Sequence, residues 1–365
     1  MRYQARIRKA QKLMGERGLD VLFIVGRENL IYFTGTTQIE CMAVLIPREG
    51  EARAVTLWLD AHYVGENSGL QVEPYFFPKE NLVGKAVEWL RKSGFSNPRI
   101  GFEKYFVEFS VYEGLRQAFP ESNFVNAGDL LYRLRAVKEP EEVEKIRQAS
   151  RIVRRGMEAA VKAVRPGVSE LEVLAEAEYA MRKAGSEGPP FRPQVVSGPR
   201  VLLSHPHASH RVIRNGEVVV IHLGATFEGY CSKMCRTVAL GRIADGQERV
   251  YRLLLDAQQA AIEALRPGIN AGEVDAAARR VVEKAGYGEN FLDFIGYGVG
   301  LRQSEFFPII GKERTELIEA GMVVDLLLPT IYQPAIGGPR VTDVIYIGEK
   351  ENEILTTYPR ELIYV

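Results

Sequence analysis

The stretch Ala163-Val164-Arg165-Pro166-Gly167-Val168-Ser169-Glu170-Leu171-Glu172-Val173 returns later in the chain as Ala264-Leu265-Arg266-Pro267-Gly268-Ile269-Asn270-Ala271-Gly272-Glu273-Val274. Lys183-Ala184-Gly185 and Lys284-Ala285-Gly286 keep the same offset. Each copy reads as the end of one helix, a Pro-Gly stop, and a second helix with Ser169 or Asn270 as N-cap. Glu172 and Glu273 follow those caps at the spacing of a capping box, in which both side chains satisfy helix-end amides. Strands follow each copy: Gln194 to Ser197 and Val218 to Leu223 in the first half, Phe291 to Ile295 and Val323 to Leu328 in the second. Two equivalent halves of helix, helix and antiparallel strands place a ligand cleft at the centre, where two sheets meet.

Upstream of the repeat, Glu139-Pro140-Glu141-Glu142 is a charged helix start. Val143, Ile146, Ala149, Ile152, Val153, Met157, Ala160 and Val164 then form one apolar stripe along a long helix. The first third alternates differently. Ile7, Ala10, Leu13 and Met14 mark a helix that ends at Arg17-Gly18, and Val21 to Val25 is an apolar run of the kind buried on both sheet faces. Met42 to Ile46 and Ala52 to Leu57 read as a hairpin around Pro47-Arg48-Glu49-Gly50. A helix over Glu80 to Lys92, a strand at Arg99 to Phe102, a helix at Ser110 to Ala118 and a strand at Asn123 to Asn126 complete it. The prediction is a mixed α/β (α+β) chain, with a small layered domain over 1–134 and the repeated domain over 135–365.

Composition agrees with two domains: 365 residues, 46% hydrophobic, exceed one ordinary core. The 47 Lys and Arg cancel the 47 Asp and Glu, so no basic excess exists to hold a phosphate backbone, and nucleic acid is excluded as a partner. Aliphatic runs are too short to span a bilayer and the opening is an amphipathic helix, which predicts a cytoplasmic chain without signal peptide or membrane segment. Cys41, Cys231 and Cys235 make neither a disulfide framework nor a paired-CxxC zinc site.

Several short motifs then carry a family resemblance. Asn29-Leu30-Ile31-Tyr32-Phe33-Thr34-Gly35 resembles a loop of the creatinase-type amino-terminal domain. Gly198-Pro199-Arg200, His205, Gly229-Tyr230-Cys231-Ser232, Arg236-Thr237, Gly296-Tyr297-Gly298-Val299-Gly300-Leu301, Gly321-Met322-Val323 and Arg340-Val341-Thr342-Asp343 follow in the order of the pita-bread hydrolases. That group comprises aminopeptidase P, prolidase and creatinase. The resemblance implies a creatinase-type amino-terminal domain, a pita-bread domain and a homodimer. It is specific for fold rather than activity.

In the peptidases of that family two aspartates, a histidine and two glutamates hold two divalent metals. Position by position, the resemblance puts the aspartates at His222 and Lys233, the histidine at Tyr297, and the glutamates at Leu328 (Leu327 if the misfit lies nearer Pro329) and Thr342. None of the five is retained, which predicts no metal and no cofactor. A hairpin centred between Phe227 and Glu228 sets His222 opposite Lys233, roughly 5 Å apart at Cβ. An ammonium there repels a dication, and Leu328 offers no ligand atom.

The residues that remain support other chemistry. His205 matches a substrate-contacting histidine of the family, the acid/base in metal-free creatinase, and an imidazole can transfer protons at neutral pH. It stands with His207 and His210 in Ser204-His205-Pro206-His207-Ala208-Ser209-His210, which otherwise reads as a polar loop. Creatinase's two glutamates match Cys235 and Leu328 (or Leu327), so neither is kept. Lys233 shares a strand face with Cys231 and Cys235; beside a lysine a thiol becomes more nucleophilic, whereas buried cysteines are more commonly apolar filler. A buried Lys233 needs a counter-charge, for which Asp343, Glu305 or an anionic ligand are the candidates. Arg340 resembles the family's site-edge arginine and suits a carboxylate. Tyr297 is either an oxyanion donor or a filler.

Two functions follow. One is a metal-independent hydrolase of a C–N bond in a small amide, guanidino or proline-like substrate, with His205 as acid/base and His222, Lys233, Tyr297 and Arg340 binding substrate. The other is a non-catalytic pseudo-peptidase that binds a short peptide or metabolite. An ordinary dimetal peptidase is disfavoured. The sequence leaves the substrate, any residual catalysis and the biological role open.

Overall fold

The computed structural model describes residues 2–38, 40–328, 331–334 and 336–365, and of Arg2, Leu327 and Leu328 the backbone alone. The chain divides into two compact units, Met1–Arg135 and Ala136–Val365.

In order, the first unit contains α1 (Arg2–Arg17), β1 (Val21–Ile24), α2 (Arg27–Thr34), β2 (Met42–Pro47), β3 (Arg53–Leu57), α3 (Ala61–Ser68), β4 (Gln71–Tyr75), α4 (Leu82–Lys92), β5 (Ile100–Phe102), α5 (Phe109–Ala118) and β6 (Phe124–Asn126); α6 (Gly128–Ala136) closes it. The six-stranded sheet runs β4-β3-β2-β1-β5-β6. The central pairs β1–β2 and β2–β3 are antiparallel and the outer pairs parallel. The apolar run predicted from Val21 to Val25 is buried over β1, Val21–Ile24, because both faces of the sheet are covered, and Val25 beyond the strand is partly buried. Val21, Phe23, Leu45 and Val55 meet Ala86 and Leu90 of α4 and Leu115 and Phe119 beside α5 in one core. Three features escaped the sequence reading, helix α6 among them. The segment expected as a loop at Asn29 to Gly35 is helix α2, stopped by Gly35 in the left-handed region at φ 74°. The pair α3–β4 was not foreseen, since Tyr63 stays exposed and Gln71, Glu73 and Pro74 break any apolar alternation.

The second unit continues with α7 (Pro140–Ala163), α8 (Glu170–Lys183), β7 (Gln194–Ser197), β8 (Glu217–Phe227), β9 (Tyr230–Leu240), α9 (Asp245–Ala264), α10 (Ala271–Lys284), β10 (Phe294–Gly298), β11 (Glu305–Gly311), β12 (Val323–Leu328), β13 (Val341–Tyr346), β14 (Glu353–Ile354) and β15 (Ile363–Tyr364). The repeat survives as architecture. The helix ends Ala163 and Ala264, the helix starts Glu170 and Ala271, and the helix ends Lys183 and Lys284 keep its offset. Gly167 and Gly268 both lie in the left-handed region, at φ 89° and 85°. Their amides donate to Ile213 O (3.1 Å) and Ile318 O (2.8 Å). The Pro-Gly step in each half is thus fixed by the same backbone need.

The capping boxes are not equivalent. Ser169 and Glu172 complete theirs. Asn270 makes no side-chain cap bond to the backbone and spends its amide on Glu273 Oε1 at 3.1 Å. Instead of two sheets, a single sheet runs β11-β10-β12-β13-β9-β8-β7, with β14 on β13 and β15 on β9. The halves join where Thr342 of β13 pairs with Cys235 of β9. One helix pair covers each half: Ile152, Val153, Met157 and Ala177 pack with Ile221 and Met234, and Leu254, Ala261 and Val274 with Val324 and Ile345. Each such Val, Leu, Ile or Met side chain, fully buried, contributes roughly 1.5–3 kcal/mol. The uncovered centre of the sheet carries the site.

Candidate functional site

Hairpin β8–β9 is the floor of the site, and its turn decides what faces what. Phe227 pairs with Tyr230. Glu228 and Gly229 are therefore the two turn residues, at φ 45° and 79°. Two successive positive φ values define a two-residue hairpin turn of the twist that strands prefer. The turn centre thus lies one residue beyond the one expected from sequence. His222 faces Cys235, and Lys233 faces Gly224. His222 and Lys233 share a sheet face as diagonal neighbours, not as an opposed pair.

The same register builds a row across the sheet. Gln194 of β7 pairs with His222, His222 with Cys235, and Cys235 with Thr342 of β13. In the backbone ladder Leu327 is next to Thr342, and Leu328 next to Val341. The side chains of Leu327 and Leu328, on which one expected ligand position falls, lie outside the described residues. A cavity of about 530 Å³ stands over this row. Gln194, His222, Lys233, Tyr297 and Arg340 line it, with Arg192, His205 and His207 also on its wall. No Asp or Glu lines it among the described residues.

Lys233 is 1% exposed at its side chain and fully occupied. Its Nζ donates to Gln303 Oε1 (3.0 Å) and Ser304 Oγ (3.1 Å) and forms an ion pair with Asp325 Oδ2. The ammonium thus has two hydrogen-bond acceptors and one counter-charge around it. The counter-charge is therefore Asp325, which sequence reasoning missed. Neither expected partner serves: Asp343 accepts from Arg236 Nη2 at 2.7 Å, and Glu305 Oε2 lies 3.9 Å from Lys138 Nζ. The signal was present in Val323-Val324-Asp325-Leu326, a lone acid in a buried apolar strand. Asp325 Oδ1 also accepts the Tyr297 amide at 2.6 Å. Burial holds the Asp325 carboxyl above its ordinary range, with Lys233 pulling the other way.

His222 is buried, and its ring packs on Phe191 with centroids 4.7 Å apart. Gly224 makes room for that ring, since a Cβ there would sit 2.5 Å from Phe191 Cε1. Burial, then the charges of Lys233 and Arg340, hold the imidazole well below its usual pKa, so it is neutral at pH 7. Its Nε2 has no hydrogen-bond partner. Tyr297 is half-buried against Phe294 and Phe306 (5.4 and 6.4 Å), and burial followed by Asp325 raises its phenol pKa, which keeps it protonated.

Arg340 is 5% exposed. Its Nη1 donates to Gln194 Oε1 (3.3 Å) and Nη2 to Val201 O (3.1 Å) and to Leu203 O. Its Nε is unpartnered, and no carboxylate pairs with the guanidinium among the described residues. Its guanidinium also lies over the Tyr332 ring, 5.9 Å from the centroid, and a buried cation held by neutral oxygens and a ring face, without a carboxylate, is the exception in folded proteins.

His205 sits exposed at the cavity edge, with Ser204 Oγ 3.2 Å from its Nδ1. Its loop is tied down from below by buried Glu170, which accepts from the amides of Ser197 (2.8 Å) and Ser209 (3.1 Å) and from Arg200. His207 Nε2 lies 2.7 Å from Arg192 Nη1. The three loop histidines form no metal cluster, and no group of three or more His, Cys, Asp or Glu side chains among the described residues is arranged to hold an ion. Of the two readings of the cysteines, apolar filler is the one that fits Cys235. Cys235 is buried and its thiol is pushed up to about 12, since burial outweighs the nearby arginines. It is apolar filler beneath His222 rather than a nucleophile.

Comparison with known proteins places this geometry. Residues 144–349 match the model of metallopeptidase family M24, and residues 6–137 the creatinase/prolidase N-terminal domain. The chain is 33% identical to a putative dipeptidase of Bacillus subtilis over 365 residues, covering 98% of this chain and 99% of that protein. It is 32% identical to the Xaa-Pro dipeptidase of Pyrococcus furiosus, covering 98% and 99%. The structure superposes on the Xaa-Pro dipeptidase of Bacillus anthracis with a TM-score of 0.92 at 29% identity, over 100% of both chains. No helix among the described residues is long and apolar enough to cross a membrane.

Proposed function

The chain belongs to metallopeptidase family M24 and carries a creatinase/prolidase amino-terminal domain, and from that premise we propose that it is a metal-independent member whose cleft binds a short peptide or small proline-like amide without hydrolysing it. The single observation that carries this reading is Lys233. At a position where the resemblance expects a metal-binding aspartate, an ammonium is held by Asp325, Gln303 and Ser304. The donor chemistry does not fit a dimetal centre. A dication about 4 Å from that ammonium would meet repulsion of about 8 kcal/mol at an effective dielectric of 20. His222 supplies one neutral nitrogen, Thr342 a hydroxyl and Tyr297 a phenol, and none supplies the negative charge that two dications need.

The protonation of the cleft's cysteine and tyrosine favours binding over turnover. Lys233 is ion-paired with Asp325, Cys235 is held as a thiol, and Tyr297 as a phenol. A second reading, metal-free hydrolysis of a C–N bond with His205 as acid/base, draws on one observation, the position of that imidazole on the cavity wall. The family resemblance further supports a homodimer in the cytoplasm.

The test is titration calorimetry of the full chain with Ala-Pro, with and without EDTA, beside elemental analysis after incubation with Mn, Co and Zn. Binding that is insensitive to EDTA, with substoichiometric metal and no product, is the expected outcome. Stoichiometric metal together with EDTA-sensitive hydrolysis refutes the reading. Turnover that survives EDTA and vanishes in His205→Ala transfers the assignment to the second one.

A further inference from the structure

The walls of the cavity over β8 and β9 carry positive charge that only Lys233 has cancelled, through Asp325. Arg192 and Arg340 also line it, and neither pairs with a carboxylate among the described residues. Arg340 donates to oxygens of Gln194, Val201 and Leu203. Arg192 meets His207, whose Nε2 lies 2.7 Å from its Nη1. A guanidinium can only donate, so that ring nitrogen accepts and brings no negative charge. His207 therefore holds Arg192 in place and leaves its charge uncancelled. The flanking residues fix its backbone: Phe191 packs on the His222 ring at 4.7 Å, and Gln194 pairs with His222 across β7–β8. No Asp or Glu lines the cavity among the described residues. The side chains of this unit outside them, those of Leu327, Leu328, Pro329, Thr330 and Ala335, are not acidic either. Leu292, Phe294 and Phe306 add apolar surface to the wall.

We propose that the cleft disfavours ligands bearing a free α-ammonium and takes those whose amino end is neutral, with Arg192 as a residue that sets this preference. The inference rests on the metal-free reading of the cleft and names which peptide-like ligands it accepts. An ammonium entering the cavity sheds water and meets apolar side chains and hydrogen-bond donors in place of a carboxylate. It is also repelled by two uncancelled guanidinium charges, and walls of one sign concentrate that field inside a cleft. Like charges set against each other suppress the wrong ligand without any added contact to the right one. Repulsion between unit charges about 12 Å apart, at an effective dielectric of about 20, corresponds to about 10-fold in affinity. Arg192 is exposed, so water and salt screen part of its field; Arg340, at 5% exposure, is screened less.

The experiment compares Ala-Pro with lactyl-L-proline, in which a hydroxyl replaces the ammonium at nearly the same size, by calorimetry on the full chain in EDTA. Both compounds carry the same ring and carboxylate, so their difference reads the amino end alone. At pH 7 lactyl-proline is expected to bind about 10-fold more tightly. The α-amine of Ala-Pro loses its proton near about pH 8, so the gap should close toward unity by about pH 9.5. Lactyl-proline measured at each pH corrects for titration of the protein itself. Arg192→Gln, at an exposed position, should narrow the pH 7 gap by about twofold or more. Equal affinities at pH 7, or tighter binding of Ala-Pro, overturn the exclusion and leave metal-free binding standing. A gap that persists at about pH 9.5 overturns it too, since charge is then not what discriminates. A gap unchanged in Arg192→Gln overturns the role given to Arg192. Binding of neither compound overturns the exclusion together with the reading beneath it, and binding that appears only after Mn is added refutes that reading.

Discussion

Replacing Lys233 by Met removes the ammonium while keeping most of the side-chain volume, and the structure sets the cost. Lys233 and Asp325 are 1% and 0% exposed, so salt screens the pair little. Gln303 and Ser304 lose a donor but keep each other, through the bond from Ser304 Oγ to Gln303 Oε1 at 3.0 Å. Asp325 keeps backbone amides, that of Tyr297 at 2.6 Å among them, and becomes a buried carboxylate without a counter-charge. Breaking a buried pair in this way costs about 3–5 kcal/mol. Asp325→Asn alone strands the ammonium and should cost a similar amount, while Asn preserves an acceptor for Tyr297 N. The double variant carries no buried charge and should lose less than either single variant, giving a coupling energy of at least about 2 kcal/mol.

Urea denaturation near neutral pH measures all three stabilities. The pH dependence adds an independent check. Without Lys233 the Asp325 carboxyl rises further above its unfolded value, so the folded Lys233→Met protein takes up a proton before the unfolded one does. Its deficit should therefore shrink as pH falls through the raised folded pKa toward about 4. A loss below about 1 kcal/mol for Lys233→Met, or a double variant whose loss equals the sum of the singles, would refute the argument that this buried pair is an interdependent unit.

Two further outcomes are expected. The native protein should react with a maleimide at one thiol, exposed Cys41, and at all three only in denaturant, because Cys231 and Cys235 are buried and Cys235 is pushed up to about 12; mass spectrometry showing native labelling of Cys235 would contradict this. For His222 the folded pKa lies well below the ordinary 6.5. Below that pH the unfolded chain binds a proton the folded chain refuses, so stability falls with pH by up to about 1.4 kcal/mol per unit. Urea midpoints between about pH 7 and pH 5 should fall more steeply for wild type than for His222→Phe; parallel curves would mean that the buried imidazole is protonated in the folded state.

Much of this was legible without coordinates because it is written in local signals. The Pro-Gly stops, the helix stripe beginning at Val143 and the apolar run at Val323 depend on residues a few positions apart, and the repeat made them read twice. The long helix, the two halves and the strands Gln194–Ser197 and Val323–Leu328 follow from those signals. Which chemistry-bearing side chains meet was a different matter. The backbone angles of Glu228 and Gly229 shifted the hairpin by one pair, and period-two alternation cannot reveal such a shift until the turn is placed. Asp325 reaches Lys233 from a strand far along the chain, so no spacing announces the pair. The unneutralised state of Arg340 depends on every side chain that packs around it. The sequence by itself determined the elements and the family of the fold, because those are set by neighbours in the chain. Tertiary structure alone decided which charges are paired and which is left waiting, because electrostatic balance is a property of contacts between distant segments.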